Sequence, residues 1–441
     1  MRKLLCLVLA FMLMAGSAMA EEPETRLTDF LSSLMAGDDN DALYARLDAQ
    51  MQAAMSREDF DALWPQLLTI SGDFRGYFGE TEAVKVDVYT VLTQLLDMAD
   101  NGLMCTMTLN GDGSIAGLFF TFHDIPAEAA PMAYNVKEEK ITFGESPWRL
   151  SGTLLVPESD APVPAVVLVQ GSGATDRDES IYAVKPFRDI ANALSAKGIA
   201  VLRYDKRTYT YSTQIASSTG YRTFTVEDEL IQDVIAAGQL LAGDSRIDPE
   251  RVYIMGHSLG AMLAPRIVSQ SDGLFCGMIL ASGTNRSFLD VLLRQARDAD
   301  YLTEKLRAEL TADGEAIYGM TAEEAKQAKF NGVYDYYYWE MLQYPTAAEY
   351  LAELALPTLI INGSRDIQVI EEEGRDTWEE VLDMDAPWLR CYWTDVNHML
   401  MRPQVDASRQ GTVDEYKVAC TVAEDVTDLM AAFILNTEES P

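Results

Sequence analysis

Three side chains in this sequence could together activate an oxygen nucleophile: Ser258, Asp366 and His398. A serine hydroxyl attacks an acyl carbonyl only when a base takes its proton, and an imidazole is the side chain poised to do so near neutral pH. The chain has three histidines. His257 stands beside the serine itself, and His123 falls in a separate N-terminal region, where a lone histidine reads as structural. That leaves His398, in Asp395-Val-Asn-His398, as the base. A carboxylate must hold the imidazole in the right tautomer. Asp366, at the end of Asn362-Gly-Ser-Arg-Asp366, is the candidate, with Asp395 as runner-up. The chemistry would be acyl transfer through a covalent intermediate.

The elements around these residues are consistent with that role. Ser258 sits in Arg251-Val-Tyr-Ile-Met-Gly-His-Ser-Leu-Gly260, a strand-forming run followed by G-x-S-x-G and then a helix-compatible stretch. Glycines flank the serine because a sharp strand-to-helix turn leaves no room for bulkier neighbours. The new helix aims its free N–H groups at the place where an oxyanion forms, so the N–H of Leu259 is the first candidate donor. The second is the N–H of Ser172, with Gly173 as fallback. Both lie in Gln170-Gly-Ser-Gly-Ala174, a loop of small residues after the strand expected over 165–169.

From residue 135 onward, strands alternate with helices, which signals a mostly parallel sheet. A hairpin over 141–143 and 150–156 opens it. Helix 186–197, strand 199–204, a helix capped by Thr225, the Ser258 strand and helix, and strand 274–281 follow. Pro265 is compatible with its helix only within the first turns. The charges of Asp205-Lys206-Arg207 read as an ion-pair cluster at a strand end rather than as substrate contacts. Residues 284–356 break the alternation with helical, charged and aromatic sequence, as an insertion capping the site would. The aromatic run 333–339 could line a pocket or form the core of this cap, and Glu323 and Glu324 read as a solvated helix face. Strands 357–361 and 388–393 and a closing helix over 416–435 complete the unit, placing Asp366 and His398 just past strand ends.

The first part of the chain reads differently. Arg2 and Lys3, an apolar stretch over 4–14 and Ala18-Met19-Ala20 make a secretory leader cleaved after Ala20. Cys6 is too early for lipid attachment. Residues 21–124 form a small α+β domain: helices over 25–35, 41–55 and 57–69, then strands over 83–92, 103–109 and 115–122, with a hairpin turn at Asn110-Gly-Asp-Gly-Ser114. Residues 125–134, with Pro126 and Pro131, read as a linker. There are 69 acidic and 34 basic residues, for a formal charge of −35, which disfavours nucleic acid and anionic membranes as partners. After the leader, Cys105, Cys276, Cys391 and Cys420 remain. An exported protein could pair them in three ways that sequence does not rank, while Cys276 reads as a buried apolar residue. No CxxC or Cys/His cluster suggests a metal.

The order Ser258, Asp366, His398 is that of the α/β-hydrolase fold. Residues 135–441 resemble bacterial α/β-hydrolases of the EstD-type esterase and serine-aminopeptidase-like group. The resemblance rests on Gly171-Ser-Gly with Thr175-Asp-Arg-Asp178, Arg203-Tyr-Asp-Lys-Arg207, Gly256-His-Ser-Leu-Gly260, Arg365-Asp366 with Gln368-Val369, and Asn397-His398. The front domain resembles the NTF2/cystatin-like domains that precede some secreted hydrolases. Two departures, Ala261 and Thr208, stand where such proteins often carry glycine. The resemblance is specific for the group and not for a substrate; with the leader and the triad, the expected activity is that of a secreted serine hydrolase of short-acyl or aromatic esters, whose mechanism requires no metal or organic cofactor. A peptidase with the same triad, or a binding protein with a vestigial site, are the alternatives.

Overall fold

The computed structural model describes residues 23–436, apart from 38–39, 87, 100–101, 124–135, 300–302, 331, 404 and 406–408. The leader expected over 1–20 and the linker expected over 125–134 lie outside the described residues. The chain divides into two compact units, with the boundary between Pro126 and Ala127.

The N-terminal unit places helices α1 (Pro23–Ala36), α2 (Asn40–Ala45), α3 (Ala49–Ala54) and α4 (Arg57–Ser71) before four antiparallel strands. These are β1 (Phe74–Val86), β2 (Tyr89–Met98), β3 (Gly102–Leu109) and β4 (Ile115–His123), in the spatial order β1-β2-β3-β4. Leu27, Phe30, Leu31 and Phe60 from the helices share a core with Leu92, Leu96, Met107 and Ile115 from the sheet. Two expectations need correction. The helix over 41–55 is two helices, because the Asp48 carboxylate accepts the amides of Gln50 and Met51 and starts a new one. The run 83–92 is a hairpin instead of one strand, with Val86 paired to Tyr89 across the reversal. The turn at Asn110–Ser114 joins β3 to β4 as expected, with Gly113 at φ 83°. His123 is the last residue of β4, opposite Gly102.

The C-terminal unit is built on an eight-stranded sheet. Its opening antiparallel strands are β5 (Val136–Phe143) and β6 (Leu150–Pro157). Then come β7 (Val163–Val169), α5 (Pro186–Ser195), β8 (Ala200–Tyr204), α6 (Arg207–Thr210) and α7 (Ser212–Ser217). A π-helical turn, Glu227–Ile231, runs into α8 (Gln232–Ala242), and β9 (Ile247–His257), α9 (Leu259–Ser269) and β10 (Gly277–Ala281) follow. The insertion after β10 holds α10 (Phe288–Asp298), α11 (Glu304–Ala316), α12 (Ala322–Ala325), a ribbon of β11 (Lys329–Phe330) and β12 (Val333–Tyr334), α13 (Tyr336–Met341) and α14 (Ala347–Leu354). The chain returns through β13 (Thr358–Gly363), α15 (Arg375–Glu379), β14 (Leu389–Thr394) and α16 (Glu424–Leu435).

The strand order is β14-β13-β10-β9-β7-β8-β6-β5, parallel from β14 to β8. Central strands such as Val163–Val169 are buried along their whole length, which explains why they read as unbroken apolar runs. One face packs on α8 and α9, and the other on α5 and α16. All parallel strands therefore deliver their C-terminal loops to one edge, where Ser258, Asp366 and the 170–174 loop emerge. Pro265 is the seventh residue of α9, in its second turn, and the helix continues through it at the loss of one backbone hydrogen bond. Strand β10 is shorter than expected, so Cys276 lies just before it and is only partly buried. Cys105, Cys276, Cys391 and Cys420 are all free.

Candidate active site

Ser258 lies between β9 and α9 with φ 53° and ψ −118°, a conformation that costs an ordinary L residue on the order of 1–3 kcal/mol. Backbone contacts enforce it. The Ser258 amide donates to the carbonyl of Ala281 at 2.9 Å, and the Ser258 carbonyl receives the amides of Ala261 and Met262. The flanking glycines are required sterically: a Cβ on Gly256 would fall 2.2 Å from the Gly260 carbonyl oxygen, and one on Gly260 would fall 2.4 Å from that of Val169. Leu259 is the first residue of α9, so its amide belongs to the turn whose N–H groups have no partner within the helix.

His398 and Asp366 meet. Nδ1 of His398 lies 2.7 Å from Oδ2 of Asp366, and both side chains are almost fully buried. The other carboxylate oxygen accepts the amides of Gln368 and Val369, each at 2.8 Å, which fixes the plane of the acid. Helix α10 braces this turn, since Arg294 and Gln295 both donate to the Gln368 carbonyl. The His398 backbone carbonyl accepts from Nε2 of His257 and Oγ of Ser282, both at 2.8 Å. These donors are neighbours of Ser258 and of its bonding partner Ala281, so His398 and Ser258 are anchored to one patch. Close approach is needed here too: a Cβ on Gly363 would meet the Val396 carbonyl oxygen at 2.0 Å. Asp395 is exposed and donates nothing to this site; its carbonyl receives Nε of Arg402.

The loop after β7 comes to the same place. A Cβ on Gly171 would stand 3.1 Å from Cβ of Ser258. Ser172 and Gly173 are exposed, with Gly173 at φ 87°. The Gly171 amide donates to Oε1 of buried Glu179 at 2.6 Å, and Oε2 of Glu179 lies 3.1 Å from Nδ1 of His257. Burial pulls the His257 imidazole down, but the Glu179 carboxylate, the His398 carbonyl and Asp366 outweigh it and leave its pKa raised. His257, which stands in the sequence only as a neighbour of the serine, therefore ties the His398 loop to the 170–174 loop.

The Asp205-Lys206-Arg207 cluster is an ion-pair network, as expected. Arg177 grips Asp205, Arg203 pairs with Asp178, Arg207 with Asp233, and Lys206 with Glu229. The aromatic run serves mainly as cap core: Tyr337 and Tyr338 are buried, and Trp339 donates to the Met320 carbonyl. Glu324 forms the capping box of α12, and Glu323 pairs with Lys326 at the surface. Of the two departures from glycine, Ala261 packs against Gly283, and Thr208 donates its hydroxyl to Glu229 at 3.0 Å. A cavity of about 170 Å³ lies against α9 beneath the cap, lined by Leu259, Met262, Arg266, Phe288, Tyr338 and Tyr350 among others. A larger hollow of about 350 Å³, bordered by Lys137, Pro157 and Arg246, is at the opposite end of the strands from Ser258. No group of three or more potential metal ligands occurs among the described residues. No helix among them is long and apolar enough to cross a membrane.

Comparison with known proteins agrees with this fold. The chain is 30% identical over 388 residues to the esterase EstD of Thermotoga maritima, covering 83% of this chain and 86% of that protein. Among solved structures it is similar to an esterase of Pyrococcus furiosus, with 17% identity, 72% of this chain and 98% of that one covered, and a TM-score of 0.42. It is also similar to an acylaminoacyl peptidase of Pyrococcus horikoshii, with 13% identity, 85% and 58% covered, and a TM-score of 0.46. Residues 166–410 match the alpha/beta hydrolase family, and the chain belongs to that family.

Proposed function

We propose that this chain is a serine hydrolase that cleaves carboxylic esters through an acyl-enzyme. The observation that carries the reading is the buried Asp366–His398 pair, anchored by hydrogen bonds to the turn that holds Ser258 at φ 53°. His398 takes the proton of Ser258 as its oxygen attacks the acyl carbonyl. Asp366 keeps the Nδ1 proton in place, so that Nε2 is the free base, and balances the imidazolium that forms. The amides of Leu259 and Ser172 stabilise the tetrahedral oxyanion, each worth about 3 kcal/mol in a well-aligned hole. His398 returns the proton to the leaving alkoxide, and the alcohol departs. Water, deprotonated by the same imidazole, then releases the acid and restores the hydroxyl.

The cavity beside Leu259 supports a small acyl or aromatic group. Its volume, about 170 Å³, is close to that of an apolar cavity of about 150 Å³ that takes one benzene ring. Its lining is largely apolar and aromatic. The relationship to a protein named as an esterase supports ester cleavage.

The test compares p-nitrophenyl acetate with aminoacyl-nitroanilides on wild type and Ser258→Ala. Ester turnover that disappears in Ser258→Ala is the expected result. Hydrolysis of the nitroanilide alone would replace the ester reading with a peptidase, and unchanged turnover by Ser258→Ala would remove the nucleophile.

A further inference from the structure

Lys206 has no accessible surface, and its ammonium group has three acceptors for its three protons. These are the carbonyl oxygens of Gly171 (2.8 Å) and Gly173 (3.0 Å) and Oε1 of Glu229 (2.9 Å). A buried charge normally costs stability unless every hydrogen-bonding position is satisfied. Here two of the three positions are spent on the backbone of the glycine-rich loop beside Ser258. An ordinary salt bridge would not need them.

The consequence follows from peptide geometry. In a trans peptide the carbonyl of one residue and the amide N–H of the next point in opposite directions. A lysine that draws the Gly171 carbonyl inward turns the Ser172 N–H outward, to the exposed side of the loop. The grip on Gly173 does the same for Ala174. The Gly171 amide, in turn, is held by Glu179. The loop is thus fixed at three backbone polar groups, the Gly171 amide and the Gly171 and Gly173 carbonyls, and the Ser172 amide between them is left for a ligand.

Glu229 extends this arrangement to the cap. Its Oε1 receives Lys206 and the Thr208 hydroxyl, and its Oε2 receives the hydroxyl of Tyr337 from α13 at 2.5 Å. Burial and the adjacent carboxylate both hold Tyr337 in its protonated, donating form. A continuous run of hydrogen bonds therefore leads from the insertion to the oxyanion loop.

We propose that Lys206 is the positioning residue of the oxyanion hole, and that Glu229 and Tyr337 make the alignment of the Ser172 amide depend on the seating of the cap. This rests on the ester-hydrolase reading above, and failure of that reading would already show as ester turnover by Ser258→Ala. The lysine touches no reacting atom. Its effect should fall on the transition state and spare substrate binding.

The experiment measures kcat and KM for p-nitrophenyl acetate, together with the inhibition constant of a trifluoromethyl ketone, whose adduct places an oxyanion in the hole. Lys206→Met alone would strand the Glu229 carboxylate, so it is studied beside Lys206→Met/Glu229→Gln, which removes both buried charges. The double variant is expected to lose about 10²–10³-fold in kcat, as for a lost oxyanion donor, with KM changed less than about threefold. Its affinity for the ketone should weaken in parallel, while inhibition by the product alcohol holds. Tyr337→Phe keeps the lysine and should lower kcat by about three- to thirtyfold, the range of coupling through a connected network. A folded double variant with kcat and ketone affinity near wild type would overturn the role of Lys206. Wild-type kcat in Tyr337→Phe would overturn the link to the cap. Should the double variant fail to fold, Tyr337→Phe and Glu229→Gln decide by the same two readouts.

Discussion

Replacing Asp366 by asparagine is a stringent perturbation because it exchanges one carboxylate oxygen for an NH₂ group, removing the charge while changing almost no volume. In the wild type, Oδ1 accepts two backbone amides at 2.8 Å and Oδ2 faces Nδ1 of His398 at 2.7 Å. An asparagine has one oxygen, and two fixed amide donors claim it. Its NH₂ group must then point at His398 and donate to Nδ1, since the reverse orientation would set the NH₂ against two N–H donors. That reverses the hydrogen bond. The imidazole proton moves to Nε2, the nitrogen that should receive the proton of Ser258, and the base is disabled while the packing is kept. A wrong tautomer of this kind costs about 10⁴-fold in kcat, or about 5 kcal/mol of transition-state stabilisation. Steady-state hydrolysis of p-nitrophenyl acetate, with circular dichroism and thermal melts to confirm the fold, measures it. Asp395→Asn is the control, since that residue is exposed and the carboxylate beside Nδ1 of His398 is that of Asp366, so it should retain activity. A loss of less than tenfold in folded Asp366→Asn, or a larger loss in Asp395→Asn, would refute the assignment of the acid.

Two further substitutions probe the scaffold. Gly363→Ala drives a Cβ to 2.0 Å from the Val396 carbonyl oxygen, a backbone contact that cannot yield by rotating a side chain. It should cost about 3 kcal/mol in urea denaturation and displace the His398 loop, and a near-wild-type midpoint would contradict that. Asp189 on α5 is buried, and burial raises its carboxyl to about 6, with only the Val422 amide and the Arg188 charge opposing. A carboxyl raised above its unfolded value makes the folded state bind protons more tightly, so its contribution to stability is lost as pH rises from about 4 through about 6. Asp189→Asn should therefore be more stable than wild type above pH 6, by up to about 3 kcal/mol, with the difference vanishing below pH 4. Parallel melts across pH 4–8 check this, and a pH-independent difference would be the contrary result.

The candidate site was legible wherever chemistry imposes local sequence. Gly256 and Gly260 announce a turn that admits no side chain, and the placement of Asp366 and His398 after strands is a property of the parallel sheet. Long apolar runs such as Val163–Val169 gave away the central strands because both their faces are buried. Edge elements were harder. Strand β1 pairs on one side only and mixes glycine and charge through Arg75, Gly76, Glu80 and Glu82, so it shows no clean alternation, and its hairpin with β2 passed for a single strand. The break at Asp48 is visible only as a capping residue inside an otherwise helical pattern.

What the sequence could not disclose are contacts between loops that the sheet order brings together. Strands β7 and β8 are parallel neighbours, so the glycine-rich loop of one and the charged end of the other must be adjacent. From sequence, Lys206 is one charge in a cluster; its use of two loop carbonyls follows only from that pairing. Glu179 and His257 are a similar case: 78 positions separate them along the chain, and their encounter depends on the Ser258 turn lying against the 170–174 loop. The adjacency of strands β7 and β9 is the signal that could have suggested it.

The most direct measurement is the mass of the protein after reaction with a fluorophosphonate, followed by peptide mapping. A single adduct on Ser258, formed far more slowly in Asp366→Asn, is the predicted result. An adduct on another residue, or none on a protein that hydrolyses esters, would contradict Ser258 as the nucleophile.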